Sequence, residues 1–206
     1  MTSTFDSIAS NWDTPYRIER SQLISKKIIA NIPDEAFTNT LEFGCGTGLI
    51  TFNIIDKIQK GLLIDTSENM ISVVNQKIRM SGYTNNIIGK CINITNIELS
   101  SDFSFVYSSM VLHHINNIDI LAKTFYKLIS KNGYLCIVDL CKDNGLFHKN
   151  EKGFQGHNGF DIKEMEHIFG NNGFTILNSE IIYKGNKIID NQDHKYELFI
   201  IRMRKI

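Results

Sequence analysis

The chain has 206 residues, with 22 basic against 22 acidic side chains, so its formal net charge at pH 7 is zero. Hydrophobic residues make up 42% of the sequence and prolines number only 2, which excludes disordered, collagen-like and proline-rich chains. A zero net charge also disfavours a dedicated nucleic-acid-binding surface, because no long-range attraction draws the chain to a polyanion.

No apolar run reaches the roughly 18–20 residues of a membrane helix. The first ten residues hold neither a basic residue nor an apolar core, which argues against a secretory signal and favours a cytoplasmic protein. The 4 cysteines form no C-x-x-C pair and the 6 histidines include no H-E-x-x-H motif, so we expect reduced thiols and no bound metal. The length suits a single domain over residues 1–206.

Short apolar runs alternate with longer segments of helical spacing along most of the chain. The runs predict strands at residues 40–43, 61–64, 86–92, 103–107 and 133–140. Apolar residues three and four apart predict the helices before and between them, and these residues include Ile24, Ile28, Ile32, Ile50, Ile54, Ile58, Met70, Ile78, Ile118, Leu121, Phe125 and Ile129. Ser67 is a plausible N-cap for the helix after the second strand. Such alternation predicts a parallel sheet with helices on both faces.

The two ends of the chain have a different pattern. Residues 1–32 predict a helical cap, of which residues 5–20 would lie over the open end of the first strand. The polar stretch 141–159 is too long for an ordinary connection, and it predicts an active-site loop over residues 141–160. A short helix is expected at residues 161–169.

Two strand-like runs, 174–183 and 196–203, then follow with no helix between them. They predict an antiparallel hairpin with a turn-rich connection over residues 184–194. The whole pattern therefore predicts an α/β fold: a doubly wound, Rossmann-like, mainly parallel sheet of seven strands with a C-terminal antiparallel hairpin.

In an open α/β sheet, ligands bind beyond the carboxyl ends of the strands, where the strand order reverses. The first strand ends in the sequence EFGCGTG (residues 42–48) and continues directly into a helix. Glycines there permit a tight turn and the close approach of a ligand, and the free N–H groups of the helix start favour a carboxylate or a phosphate. Asp65, at the end of the second strand, can accept two hydrogen bonds from ribose hydroxyls.

Three details of this turn distinguish its candidate ligands. A phosphate-binding NTPase loop needs G-K-[ST], but Leu49 follows Gly48. The G-x-G-x-x-G spacing of a nicotinamide site is not matched, because the third glycine stands at position 48. Glu42 would repel a pyrophosphate but suits a ligand with a positive charge. A nucleoside that carries an ammonium group and no phosphate, S-adenosylmethionine, satisfies all three.

Four segments resemble the ordered motifs of the class I S-adenosylmethionine-dependent methyltransferases. They are residues 41–51 (LEFGCGTGLIT), 62–71 (LLIDTSENMI), 103–115 (FSFVYSSMVLHHI) and 131–140 (KNGYLCIVDL). The resemblance extends from Phe5 to Phe174. It implies transfer of a methyl group from S-adenosylmethionine, with S-adenosylhomocysteine as the product, to an O, N or S atom of a small-molecule acceptor.

The resemblance also implies roles for individual residues. The glycines would form the turn under the methionine part of the cofactor, Glu42 would lie near its ammonium group, and Asp65 would hold its ribose. Asn93 stands where the family usually has an acidic residue that accepts a hydrogen bond from the adenine amino group. Its amide oxygen could accept that hydrogen bond, but without the strengthening effect of a negative charge. The implied cofactor-binding residues are Glu42, Gly44, Cys45, Gly46, Gly48, Asp65, Thr66, Met70, Asn93 and Ser108.

The acceptor side has weaker candidates. A general base is needed only if the acceptor must lose a proton early, and His148, His157 and His113 are the candidates, with His114 beside them. An exposed loop position or a structural role is the alternative for each. Trp12, Tyr16 and Met110 are predicted to line the substrate pocket, with core packing as the alternative for Trp12 and Met110. Asp13 is a candidate lid residue.

Other functions stay open at this point. An RNA or protein methyltransferase is one alternative, although no N-P-P-Y tetrapeptide follows the fourth strand. A non-catalytic protein that holds the cofactor is a second, and a nicotinamide-dependent reductase is a third. The basic pairs and clusters at residues 26–27 and 202–205 are expected to be solvated faces.

Overall fold

The computed structural model describes residues 4–94, 102–151 and 153–206, so residues 1–3 of the predicted cap and residue 152 of the predicted loop lie outside the described residues. Seven strands form one sheet in the order β3-β2-β1-β4-β5-β7-β6. Their bounds are β1 Thr40–Phe43, β2 Gly61–Asp65, β3 Ile87–Cys91, β4 Phe103–Ser109, β5 Ile129–Leu140, β6 Phe174–Ile189 and β7 Gln192–Lys205. Strands β1 to β5 pair in parallel, and β7 pairs antiparallel with both β5 and β6. The predicted fold is confirmed.

The described helices are α1 Thr4–Ile8, α2 Pro15–Ile29, α3 Leu49–Ile54, α4 Glu68–Ser81, α5 Ile118–Leu128 and α6 Ile162–Asn171. Polar side chains fix several of their starts. Ser67 accepts a hydrogen bond from the backbone N–H of Met70 and caps α4, as predicted. Asn117 and Asp161 cap α5 and α6 in the same way. The isoleucine spacing continues past two helix ends, because α2 stops at Ile29 and α3 stops at Ile54, before Ile32 and Ile58.

Two apolar cores cover the two faces of the sheet. Alternate residues of β4 point to opposite faces, so Phe105 belongs to the core under α2, α3 and α4, while Val106 belongs to the core under α5 and α6. Along the sheet, the chain runs from β1 outward to β3 and then restarts on the other side of β1 with β4. The carboxyl ends of β1 and β4 therefore flank the switch point, which is where such sheets bind ligands.

The predicted hairpin is confirmed, but its turn-rich connection is wrong over most of residues 184–194. The strands continue to Ile189 and resume at Gln192, so the turn consists of Asp190 and Asn191 alone. Both turn residues have positive φ values, of 51° and 61°. Such a two-residue turn matches the right-handed twist of the strands, which is why the ladder extends to its base.

The expectation of a solvated cluster at residues 202–205 is wrong for Arg202, which is 1% exposed. Its strand, β7, lies inside the sheet with α2 packed nearby. The guanidinium donates hydrogen bonds to Asn178 Oδ1 (3.1 Å), to Glu180 Oε1 (3.3 Å) and to the backbone carbonyl of Lys27. Arg202 thus joins the hairpin to α2.

Among the described residues, no helix combines the length and the apolar character needed to cross a bilayer.

Candidate active site

The turn between β1 and α3 contains three glycines with positive φ values: 68° at Gly44, 52° at Gly46 and 80° at Gly48. A Cβ on Gly44 would lie 2.4 Å from Val111, and one on Gly48 would lie 2.9 Å from Phe52, so packing requires both glycines. A Cβ on Gly46 would meet only the indole nitrogen of Trp12, at 3.7 Å. Gly46 therefore leaves its side of the turn open to a ligand.

The Asp65 carboxylate connects β2 to this turn. One oxygen accepts the Gly46 N–H at 2.8 Å, and the other accepts the Ser67 N–H at 2.9 Å. Each carboxylate oxygen has a second lone pair, and the residue is only half-buried, so it can still accept hydroxyl hydrogen bonds. The backbone N–H of Cys45 donates to the Ile64 carbonyl at 2.9 Å and fixes the same junction.

Glu42 lies beneath the turn and is 2% exposed. Its carboxyl group accepts a hydrogen bond from the Thr51 hydroxyl, which is 2.6 Å from the Tyr107 hydroxyl. Burial disfavours the charged form and raises the pKa of Glu42 to about 8, although the bond from Thr51 works in the opposite direction. A cationic ligand group approaching Glu42 would favour its ionised form.

Residues 4–14, which we call the N-terminal segment, contact the turn after β1 and the start of α4. Asp13 accepts a hydrogen bond from the Thr47 hydroxyl and pairs with Lys77 Nζ at 2.6 Å, while Lys77 also donates to the Thr47 carbonyl at 2.8 Å. Asp6 accepts a hydrogen bond from the Ser67 hydroxyl. Lys77, a basic residue within the apolar stripe of α4, was not among the residues predicted for the site.

The other residues predicted to bind the cofactor differ in exposure. Met70 is 1% exposed, Cys45 is 6% exposed and Ser108 is fully buried, with its hydroxyl donating to the Phe43 carbonyl at 2.9 Å. Thr66 and Asn93 are exposed beyond the ends of β2 and β3. The Ser108 hydroxyl is therefore bonded within the sheet, whereas Thr66 and Asn93 are exposed at the carboxyl edge of the sheet.

The segment after β4 contacts the glycine turn through Val111 and then carries the two adjacent histidines. Met110, which precedes them, is half-buried and has a φ of 61°, unusual for a residue with a side chain. His113 Nδ1 lies 2.6 Å from Asp139 Oδ1, and Asp139 is fully buried and also accepts the N–H groups of Leu112 and Leu140. The Asp139 carboxylate therefore fixes the orientation of the His113 ring.

The two loop histidines have different surroundings. His157 attaches the loop to the segment after β4 through two contacts. Its backbone N–H donates to the His113 carbonyl at 2.7 Å, and its ring Nε2 lies 2.9 Å from the Ile115 carbonyl. His148 is 5% exposed, and its Nδ1 lies 2.9 Å from Glu151 Oε2. The hydrogen bond with His148 lowers the pKa of Glu151 to about 2.

Aromatic contacts connect the glycine turn with His148. The Trp12 indole, beside Gly46, contacts Phe5 at 5.8 Å between ring centroids, and Phe5 contacts His114 at 5.3 Å. His114 in turn lies 5.8 Å from His148. Burial and the neighbouring histidines lower the pKa of His114 to about 4. The N-terminal segment and the 141–160 loop therefore share one aromatic wall.

Tyr16 lies outside this wall. Its ring is 42% exposed, its hydroxyl pairs with that of Tyr196, and the Tyr183 hydroxyl lies 3.3 Å away. Tyr16 thus attaches α2 to the hairpin, and its role in a substrate pocket stays a prediction.

Within the described ranges, no group of three or more His, Cys, Asp or Glu residues is arranged to hold a metal ion.

Comparisons with known proteins identify the family to which the chain belongs. A family model described as a methyltransferase domain matches residues 16–179. An uncharacterized methyltransferase of Schizosaccharomyces pombe is 26% identical over 208 residues, covering 78% of this chain and 73% of that protein. A malonyl-[acyl-carrier protein] O-methyltransferase of Calditerrivibrio nitroreducens is 27% identical over 134 residues, covering 61% of this chain and 51% of that protein.

Among solved structures, a SAM dependent methyltransferase from Aquifex aeolicus matches with a TM-score of 0.73 and 16% identity over 98% of each chain. At that identity the match bears on the fold alone, whereas the family match spans most of the chain. The chain belongs to the methyltransferase-domain family, within the class I S-adenosylmethionine-dependent methyltransferase superfamily.

Proposed function

We propose that this protein transfers a methyl group from S-adenosylmethionine to an O, N or S atom of a small-molecule acceptor by in-line displacement. The turn at Gly46 supports this proposal most strongly, because it is open on one side and its N–H is held by Asp65 at the switch point of the sheet. When bound, S-adenosylmethionine would supply an electrophilic methyl group on a positively charged sulfur.

The residues at the turn fit the parts of this cofactor. The Gly46 face accommodates the close approach of the methionine portion, and Glu42 would stabilise the ammonium group from beneath the turn. The remaining lone pairs of the Asp65 carboxylate would accept hydrogen bonds from the ribose hydroxyls. The amide oxygen of Asn93, which is exposed, would accept a hydrogen bond from the adenine amino group. Each of these residues orients the cofactor and takes no part in bond making.

The protein's contribution to the transfer step would be alignment and the exclusion of water. The acceptor atom must lie within roughly 3–3.5 Å of the methyl carbon and in line with the bond that breaks. Trp12 lies beside Gly46 and contacts Phe5, which contacts His114, so these rings would help to exclude water from that side of the turn. Because the N-terminal segment is connected to the 141–160 loop through His114, we expect a small molecule to fit better as the acceptor than a nucleic acid or a protein.

The relatives are consistent with a small acceptor without identifying it. One of them is, by its name, a methyltransferase that acts on an oxygen of a carrier-bound malonyl group. A non-catalytic role for this chain would give binding of S-adenosylhomocysteine with no turnover of any acceptor, which separates that alternative from the proposal.

The site assignment is tested with Asp65→Asn. The substitution removes the charge from the group that would accept the ribose bonds, and a hydrogen bond to a charged group contributes about 1.5–3 kcal/mol, so we expect a loss of affinity for S-adenosylhomocysteine of at least about tenfold. Isothermal titration calorimetry measures this loss. The matched control is Asp56→Asn. Among the described residues, the Asp56 carboxylate contacts only the Tyr83 hydroxyl. Equal affinity in Asp65→Asn and the wild type would refute the assignment.

A further inference from the structure

The 141–160 loop is a closed, internally bonded unit. Its two ends pair through Lys142 N–H to the Phe160 carbonyl and Asp143 N–H to the Asn158 carbonyl, both at 2.9 Å. The Asp143 carboxylate accepts the N–H groups of Gly145 (2.7 Å) and Phe147 (2.9 Å). These bonds fix the backbone that carries His148, which is therefore placed by the fold of the loop.

The hairpin supports the same loop from outside. Lys187, on β6, donates to the Phe147 carbonyl at 2.6 Å, lies 3.4 Å from Glu151 Oε1 and packs over the Phe147 ring. Lys149 pairs with Asp190 at the hairpin turn, at 2.8 Å. The extension of the hairpin beyond its predicted length thus braces the segment that holds His148 and Glu151.

The tautomer of neutral His148 follows from its partner. The ionised Glu151 carboxylate can only accept, so the hydrogen bond between them requires the proton on Nδ1. Nε2 then carries a lone pair. Within the described part of the chain, this Nε2 is buried and has no hydrogen-bond partner. Buried polar atoms are almost always paired, so Nε2 is an acceptor to which a ligand could donate a hydrogen bond.

The groups around His148 define what kind of donor fits. Its ring stacks on Phe154, with centroids 3.8 Å apart, and meets the edge of Phe147 at 5.0 Å. The ring centroids of His113 and His114 lie 4.9 Å and 5.8 Å from that of His148. Among the described residues, Glu151 bonds to His148, Lys187 approaches Glu151, and Asp139 bonds to His113. The rings around His148 favour an apolar acceptor with a single polar hydrogen.

We propose that His148 is the base that takes the proton of the methyl acceptor, that Glu151 is the residue that positions it, and that the acceptor is an aromatic or similarly apolar thiol or phenol. This inference rests on the proposed function. The acceptor's sulfur or oxygen gives its proton to Nε2 and forms a bond with the methyl carbon, while the electron pair of the broken carbon–sulfur bond stays on the donor sulfur. His148 then carries a positive charge that the Glu151 carboxylate stabilises.

The first test needs no acceptor. Long-range 1H–15N correlation spectra of protein labelled with 15N-histidine distinguish the two neutral tautomers, and the loss of a signal in His148→Gln assigns it. We expect the Nδ1–H tautomer at His148 in the wild type and loss of that single tautomer in Glu151→Gln. Glu166→Gln, which removes the charge of an α6 glutamate paired with Lys163, is the control. An Nε2–H tautomer in the wild type would overturn the proposal.

The second test is turnover on substituted thiophenols and phenols of graded acidity, read as S-adenosylhomocysteine formed. We expect His148→Gln to lower kcat by about 100-fold or more on the less acidic compounds, within the usual range for general-base catalysis, and by less on thiols that are already ionised. Its affinity for S-adenosylhomocysteine should equal that of the wild type. His167→Gln, an exposed histidine on α6, is the control.

The outcomes separate this inference from the function on which it rests. If the wild type binds S-adenosylhomocysteine but methylates no thiol or phenol, or if His148→Gln is as active as the wild type, the inference is wrong and the proposed function stands. If the wild type does not bind S-adenosylhomocysteine, both fail.

Discussion

Glu42 is the residue whose ionisation should leave the clearest trace in stability. Its folded-state pKa of about 8 lies above its ordinary value of 4.5, so the folded protein holds a proton that the unfolded chain releases between these values. The stability of the wild type should therefore fall as pH rises through this window.

Glu42→Gln tests that relation, since the amide keeps an oxygen that can accept the Thr51 hydrogen bond and cannot ionise. We expect the variant to gain about 3 kcal/mol relative to the wild type between about pH 5 and about pH 7.5, as measured by urea unfolding. Glu35→Gln, at an exposed position, is the control. A constant difference between variant and wild type across these pH values would contradict the buried, protonated state of Glu42.

Sequence reasoning found the residues of the site that belong to local patterns. The three glycines and Asp65 could be predicted because a strand, a turn and a helix follow one another within a short segment. Lys77 and Asp139 could not be assigned in the same way, since each acts on a residue that only the folded chain brings near. His113 and Asp139 are 26 positions apart, and no local spacing indicates their contact.

At the scale of elements, we expect the N-terminal segment to act as a cover that polar contacts of Asp13 and Asp6 hold in place. Asp13 bonds to Thr47 and Lys77, and the Asp13 and Lys77 side chains remain about 30% exposed. Asp13→Asn should therefore speed the dissociation of S-adenosylhomocysteine several-fold, with a smaller effect on association, and added salt should act in the same direction on the wild type. Stopped-flow fluorescence of Trp12 can follow both rates.

A matched control for this change is Asp34→Asn, which breaks an exposed aspartate–lysine pair with Lys57 (2.7 Å) away from the N-terminal segment. Identical dissociation rates in Asp13→Asn and Asp34→Asn would mean that the segment does not limit ligand release.

The hairpin extension should control the order of the 141–160 loop. Lys187→Met keeps the aliphatic stem over Phe147 but removes the ammonium group that bonds to the Phe147 carbonyl and approaches Glu151. We expect faster amide hydrogen exchange over residues 143–151 and unchanged exchange in α4. The control is Lys184→Met, which changes another lysine of β6 and removes its exposed ion pair with Glu197 on β7. If Lys187→Met leaves exchange in the loop unchanged, the hairpin does not brace it.

The limits of prediction at this scale also have a physical cause. The parallel strands could be predicted from short apolar runs, since both faces of these strands are covered. The sequence at the end of the hairpin is polar, because residues such as Lys187 contact the loop and the solvent and do not pack against an apolar core. Without an apolar alternation, the turn at Asp190 and Asn191 could not be distinguished from its flanking strands.

At the scale of the whole molecule, the strand order brings the two halves of the site together. The residues proposed to hold the methionine and ribose parts of the cofactor follow β1 and β2, and the histidine cluster comes from the segments after β4 and β5. Because these four strands are parallel and β1 lies between β2 and β4, all of their carboxyl ends meet at one edge. The proposed donor site beside Gly46 and the proposed acceptor site beside His148 would thus follow from one topology.

The most direct test of the central claim is thermal unfolding of the wild-type protein with S-adenosylmethionine, S-adenosylhomocysteine and NAD in parallel. A ligand at about 100 times its Kd adds about 2.7 kcal/mol of stability, which for a domain of this size raises Tm by very roughly 5–11 °C. We expect that rise with both adenosyl compounds and none with NAD. No rise with either adenosyl compound, or an equal rise with NAD, would contradict the account.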